Sequence, residues 1–171
     1  MRKQFIAGLT MACAAAALAT AAANTPKNAL GAIAVSPDGA TLVAAGDNRV
    51  LYVLDPTSLE VKQRVAIGVN PHEAYFSADG KTLAIHDTDG AVTLFNAADW
   101  SVKTKNDGGD VMVVSAAADT YITLSYPQSK DGAYATPFTI YSLADGSKKG
   151  EGTIPGQIKS IVATPDGTAY A

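Results

Sequence analysis

Residues 32–45 read AIAVSPDGATLVAA and residues 73–86 read EAYFSADGKTLAIH, the second segment lying 41 positions after the first. In each, an apolar run enters a Ser-x-Asp-Gly turn and a second apolar run leaves it. Pro37 presets the turn, Asp38 can bond its own backbone, and Gly39 supplies a positive φ. The turn recurs as Thr164-Pro165-Asp166-Gly167, and Ser115 to Thr120 (SAAADT) fills the slot between with the glycine lost. The spacing is 38 from Ser77 to Ser115 and 49 from Ser115 to Thr164. An insertion around residues 127–136 accounts for the excess.

The flanks repeat as well. After each turn come a second apolar run (41–45, 82–85, 121–124) and a third (50–54, 91–95, 138–141). A more polar fourth run closes each unit (59–67, 100–105, 148–154). Short runs rich in β-branched and aromatic residues, separated by Gly, Pro, Asp and Asn, are the pattern of antiparallel strands. Four such strands per repeat of about 40–45 residues make one blade of a β-propeller. The expected fold is therefore all-β: a β-propeller of about three and a half four-stranded blades. Its units fall near residues 29–68, 69–109 and 110–156, with a partial unit over 157–171. Propellers usually close about 4–8 blades in a ring. We therefore expect part of a longer propeller, with a ring closed by two copies as the competing arrangement. An open arc leaves apolar blade faces exposed, so self-association through those faces is also expected.

Gly68-Val69-Asn70-Pro71-His72, leading into FSADGKTLAIHD, resembles the YVTN-type β-propeller repeat. The resemblance covers most of residues 29–171 and departs at the third unit. It implies a propeller typical of exported bacterial proteins, among them relatives of the amine dehydrogenase heavy chain and of haem-d1-binding propellers. It implies no activity.

The first residues agree with export. Arg2 and Lys3 precede an apolar, alanine-rich stretch from Phe5 to Leu18, and Ala21-Ala22-Ala23 offers a cleavage site before polar Asn24. That order is a secretory signal peptide over residues 1–23, with residues 24–171 as the mature chain. The lone Cys13 lies inside the leader, so the mature chain holds no thiol, disulfide or thiolate metal site. Arg2 and Lys3 also leave with the leader. The remaining 11 basic and 16 acidic residues carry a net −5, with no basic run. This balance argues against nucleic acid and against anionic membrane surfaces. A periplasmic or secreted location follows, with no membrane attachment after cleavage.

Candidate site residues lie in the loops that share one face: His72 and Glu73 before the first strand of the second unit, His86 and Asp87 after its second strand. Asp47 and Asp110 occupy matching places in the first and third units. Loop-borne polar groups around one mouth are where such scaffolds bind ligands. A hairpin turning at residues 77–80 sets residue 72 opposite residue 85, which sends His72 and His86 to opposite faces. These are the only two histidines, and zinc takes three or four ligands. No metal, cofactor or catalytic residue is therefore expected. Glu73 and Asp87 could form an acid/base pair, but no sequence feature marks them as buried. No Gly-x-Ser-x-Gly elbow is present, Gly108-Gly109-Asp110 lacks the lysine of a phosphate loop, and Trp100 is not repeated from unit to unit. The expected function is a non-enzymatic binding or interaction module for a protein or small-molecule ligand. The alternative is a propeller subunit of a periplasmic oxidoreductase, amine-dehydrogenase-like, with its chemistry supplied by a partner or by further blades. A lactonase-type hydrolase is a weaker third. Intact-mass spectrometry of the chain recovered outside the cytoplasm should give a mass beginning at Asn24; an exported species retaining residues 1–23 would contradict the leader.

Overall fold

The computed structural model describes residues 29–115, 117–164 and 169–170. The leader expected over residues 1–23 lies outside the described residues, as do Ala116 and the turn residues 165–167. The strands β1 (Leu30–Val35), β2 (Leu42–Gly46), β3 (Val50–Leu54) and β4 (Val61–Ala66) pair in chain order as one antiparallel sheet. A second sheet repeats this order with β5 (Pro71–Phe76), β6 (Thr82–Asp87), β7 (Ala91–Asn96) and β8 (Val102–Asp107). The third is built from β9 (Val111–Ser115), β10 (Thr120–Leu124), β12 (Ala133–Ser142) and β13 (Lys148–Pro155), with the short β11 (Gln128–Lys130) added beside β12. The expected insertion is thus a β11–β12 hairpin, with Lys130 paired to Ala133. A two-stranded piece, β14 (Val162–Ala163) with β15 (Ala169–Tyr170), follows.

The repeated turn is wired by its own side chains. Ser36 Oγ donates to Asp38 Oδ1 at 2.6 Å, and the Ala40 N–H donates to the same oxygen at 3.0 Å. Ser77 and Asp79 repeat this at 2.7 Å, with Lys81 N–H at 3.0 Å. The Ser36 hydroxyl and the Ala40 amide hold the Asp38 carboxyl below the usual carboxylate range; the Lys81 amide and the Ser77 hydroxyl do the same for Asp79. In the third sheet, where glycine is lost, Asp119 takes the positive φ (52°) instead. A short polar side chain tolerates that region better than other non-glycine residues do.

Side chains alternate along a strand, so each inner strand supplies two faces. In the second sheet both are apolar. Leu83, Ile85 and Phe95 pack with Ala32, Val43, Ala45 and Leu51 of the first sheet. Ala84, Val92 and Leu94 pack with Met112, Tyr121 and Leu143 of the third. Trp100, 8% exposed, joins the first of these layers, and its Nε1–H donates to Gln63 Oε1 of β4 at 3.2 Å. The inner strands run so close that a Cβ on Gly31 would sit 2.0 Å from the Pro71 carbonyl oxygen. The far face of the first sheet is uncovered among the described residues: Leu30, Ile33 and Val35 are 67%, 63% and 54% exposed.

Phe95→Ala should cost about 3–5 kcal/mol of unfolding free energy in urea titrations, because it empties the layer between two sheets. Val102→Ser, at a position 59% exposed, should stay within about 0.5 kcal/mol. Equal losses in the two variants would contradict the layered packing.

Candidate functional site

The β5–β6 hairpin pairs Phe76 with Leu83, Ala74 with Ile85 and Glu73 with His86, after which Pro71 meets Asp87. His72 is therefore the extra residue of a β-bulge. Regular alternation would place it on the Ala74 side, toward the first sheet. A bulge re-aims the side chain it carries. The imidazoles of His72 and His86 lie edge to face, ring centroids 6.1 Å apart and planes at 82°. The expectation that these two histidines diverge to opposite faces is thus corrected. The turn closes one residue later than 77–80 implies, since Ser77 N–H donates to Thr82 O at 2.9 Å. That moves the pairing by two positions, and the bulge then brings His72 across.

Glu73 sits beside both rings. One ligand-type atom from each of His72, Glu73 and His86 lies within 4.8 Å of the others, the single group of three such side chains among the described residues. His86 is 2% exposed, Glu73 half-buried and His72 exposed. His86 Nε2 stands 2.8 Å from the carbonyl oxygen of Gly109. A carbonyl only accepts, so Nε2 carries a proton, and in the neutral ring Nδ1 presents its lone pair. That Nδ1 faces Glu73 Oε2 at 3.5 Å, and neither buried atom has a hydrogen-bond partner among the described residues.

The acidic candidates separate. Asp87 is 3% exposed; its Oδ1 accepts from the Asp89 N–H at 3.0 Å and the Ala91 N–H at 2.9 Å, and its Oδ2 lies 3.6 Å from Lys105 Nζ. These bonds hold the β6–β7 turn. Glu73 has His86 as a close neighbour, its Oε2 3.5 Å from Nδ1. Asp110 is exposed and accepts from the Tyr126 hydroxyl, which raises the Tyr126 pKa above the usual tyrosine value. Asp47 stands exposed in the β2–β3 turn, in the corresponding place of its own sheet. A mouth of about 190 Å³ is lined by His72, His86, Asp87, Thr88, Gly109 and Asp110. Beside it a second hollow of about 260 Å³ runs past Asp89 and Gly108 to Tyr126. A larger groove, about 520 Å³, lies on the uncovered face of the first sheet among Leu30, Ala44, Tyr52 and Leu54. It is apolar packing surface, and the titratable cluster is elsewhere. Gly109 and Tyr126 are the site residues that sequence reading passed over. The glycine pair before β9 was the available signal: a Cβ on Gly109 would meet the Leu124 carbonyl oxygen at 1.9 Å.

No protein-family model and no curated protein matches the chain by sequence. Solved structures do match by shape. The hydrazine synthase of Kuenenia stuttgartiensis superposes with a TM-score of 0.61 at 20% identity, over 81% of this chain and 41% of that one. The WD40 domain of Neurospora crassa Pan2 gives 0.61 at 14% identity, over 78% and 43%. The β-propeller domain of Myceliophteria thermophila Cps50 (Swd1) gives 0.58 at 18% identity, over 81% and 48%. The fold is a β-propeller. At these identities the likeness concerns architecture alone, and the chain spans less than half the length of the propellers it matches. Its four-stranded sheets are propeller blades, and the mouth lies among loops at one end of the second and third blades.

Asp87→Ala should lower stability by about 1–3 kcal/mol, because it strands two turn N–H groups. Asp87→Asn keeps an oxygen for them and should lose less, while exposed Asp47→Ala should stay within about 0.5 kcal/mol. Urea titration of the three variants checks that order.

Proposed function

We propose that this chain is an exported, non-enzymatic binding module built on a YVTN-type propeller, taking its ligand at the mouth formed by the second and third blades. The observation that supports this is the gathering of His72, His86 and Asp110 around one mouth, borne on loops and strand ends of a packed scaffold. Rigid blades with polar groups at one rim suit recognition, since the ligand meets side chains whose positions are already set. The strongest acid/base candidate does not suit catalysis: the carboxylate of Asp87 is taken up by turn amides and faces Lys105. A net negative mature chain favours a ligand that is neutral, cationic or metal-bearing over a nucleic acid.

The test is native recovery of the tagged chain from the periplasmic or secreted fraction, with Asp110→Lys in parallel. Asp110 is exposed and should tolerate the change. The expected result is a species retained by the wild type and lost from the variant, with equal melting temperatures and a visible spectrum free of haem or quinone bands. Recovery of the same species by both, recovery of nothing, or a cofactor band with turnover overturns the reading.

A further inference from the structure

We propose that His72, Glu73 and His86 form a binding site for a divalent transition-metal ion of the zinc class, with its remaining coordination position open to the mouth. The geometry begins with the buried pair. His86 Nδ1 and Glu73 Oε2 are 3.5 Å apart, and neither has a donor. With Nε2 held by the Gly109 carbonyl, Nδ1 is the ring atom turned toward the Glu73 carboxyl oxygen. Two acceptors in this position repel unless positive charge lies between them. A proton would draw the pair to about 2.7–2.9 Å, the range of charge-assisted hydrogen bonds. A tetrahedral ion with bonds of about 2.0–2.2 Å holds its ligands about 3.4 Å apart. The separation of 3.5 Å leaves room for such an ion between the two atoms.

The surroundings fit as well. A metal-bound histidine usually donates its other ring N–H to a carboxylate or a backbone carbonyl, which fixes the tautomer and the ring plane. The Gly109 carbonyl does this for His86 at 2.8 Å. His72 is exposed and edge-on to His86, its ligand atom within 4.8 Å of the other two. Rotation of this exposed side chain brings it to a third vertex. Two imidazole nitrogens and one carboxylate select borderline ions such as zinc, cobalt or nickel, whereas calcium and magnesium prefer all-oxygen shells.

The repeat itself marks the cluster as an addition. Displacement by 41 positions aligns Glu73 with Ala32, His86 with Ala45 and His72 with Gly31. Displacement by 38 aligns Glu73 with Val111 and His86 with Leu124. The other blades therefore carry small or apolar residues where the second carries an ionisable pair. Ala45 and Leu124 are fully buried, so the architecture is served by hydrocarbon at the His86 position. Exchanging hydrocarbon for partly desolvated charge weakens a blade, and a bound ion gives that exchange a purpose. The ion site rests on the cluster alone, while its use as the ligand-contact point rests on the binding-module reading.

Zinc titration of the full chain, untagged and stripped with a chelator, tests the ion site by calorimetry. One equivalent of zinc should bind, magnesium at the same concentration should not compete, and cobalt should give a tetrahedral d–d spectrum. His72→Ala and Glu73→Gln should each weaken zinc by roughly tenfold or more, a loss typical of disturbed metal sites. His72 is exposed, so His72→Ala keeps the test valid should a change at buried His86 unfold the chain. No saturable zinc uptake, equal competition by magnesium, or affinity unchanged in both variants overturns the proposal. These outcomes are independent of whether a partner is captured at Asp110, so either reading can fall without the other.

Discussion

Everything in this fold depends on the second blade being apolar on both faces. Leu83, Ile85 and Phe95 cannot be covered by the same neighbour as Ala84, Val92 and Leu94, so the second blade needs a neighbour on each side. Covering a large side chain of this kind is worth about 1.5–3 kcal/mol. The turns, outer strands and loop mouth all follow from that sandwich. The polar β8 strand faces water. The entry to β5 meets the entry to β1 so closely that glycine is required at position 31. The first blade shows the constraint from its other side, since Leu30, Ile33 and Val35 have no covering sheet among the described residues.

The same stacking explains where chemistry can be placed. Mid-strand positions lie between blades and carry mostly hydrocarbon, with Thr93 of β7 a buried exception. Strand ends reach the rim, where a side chain can be enclosed by packing and still meet the mouth. His86 occupies the next-to-last position of β6: its ring is enclosed while one edge reaches Glu73 and the other reaches the approach to β9. The loop that leads into the third blade takes part through a backbone carbonyl, which no substitution at Gly109 removes but which any larger residue there would displace.

Local features were legible in the sequence and non-local ones were not. The Ser-x-Asp-Gly turn carries its own hydrogen bonds, so Ser36, Asp38 and Gly39 can be read without knowing what surrounds them. Four-strand periodicity and the place of the insertion were legible for the same reason. The juxtaposition of His72 and His86 was hidden by a bulge: closure at Ser77 and Thr82 changes the register by two, which keeps the facing, and the bulge at His72 inverts it. A bulge leaves little mark on one strand read alone. It shows here by comparison of units, because β1 has the same irregularity between Leu30 and Ala32, with Gly31 as the extra residue. Asp87 shows another non-local feature: its carboxylate lines the mouth and also holds the β6–β7 turn, Oδ1 accepting from the amides two and four residues on.

Trp100, the chain's single tryptophan, lies in the seam between the first and second blades and is bonded to Gln63 across it. All indole emission from this protein therefore originates at one inter-blade boundary. Fluorescence registers the parting of those two blades and is blind to events confined to the third. Disagreement between fluorescence and circular dichroism during unfolding would thus read out directly whether neighbouring blades separate one after another or together.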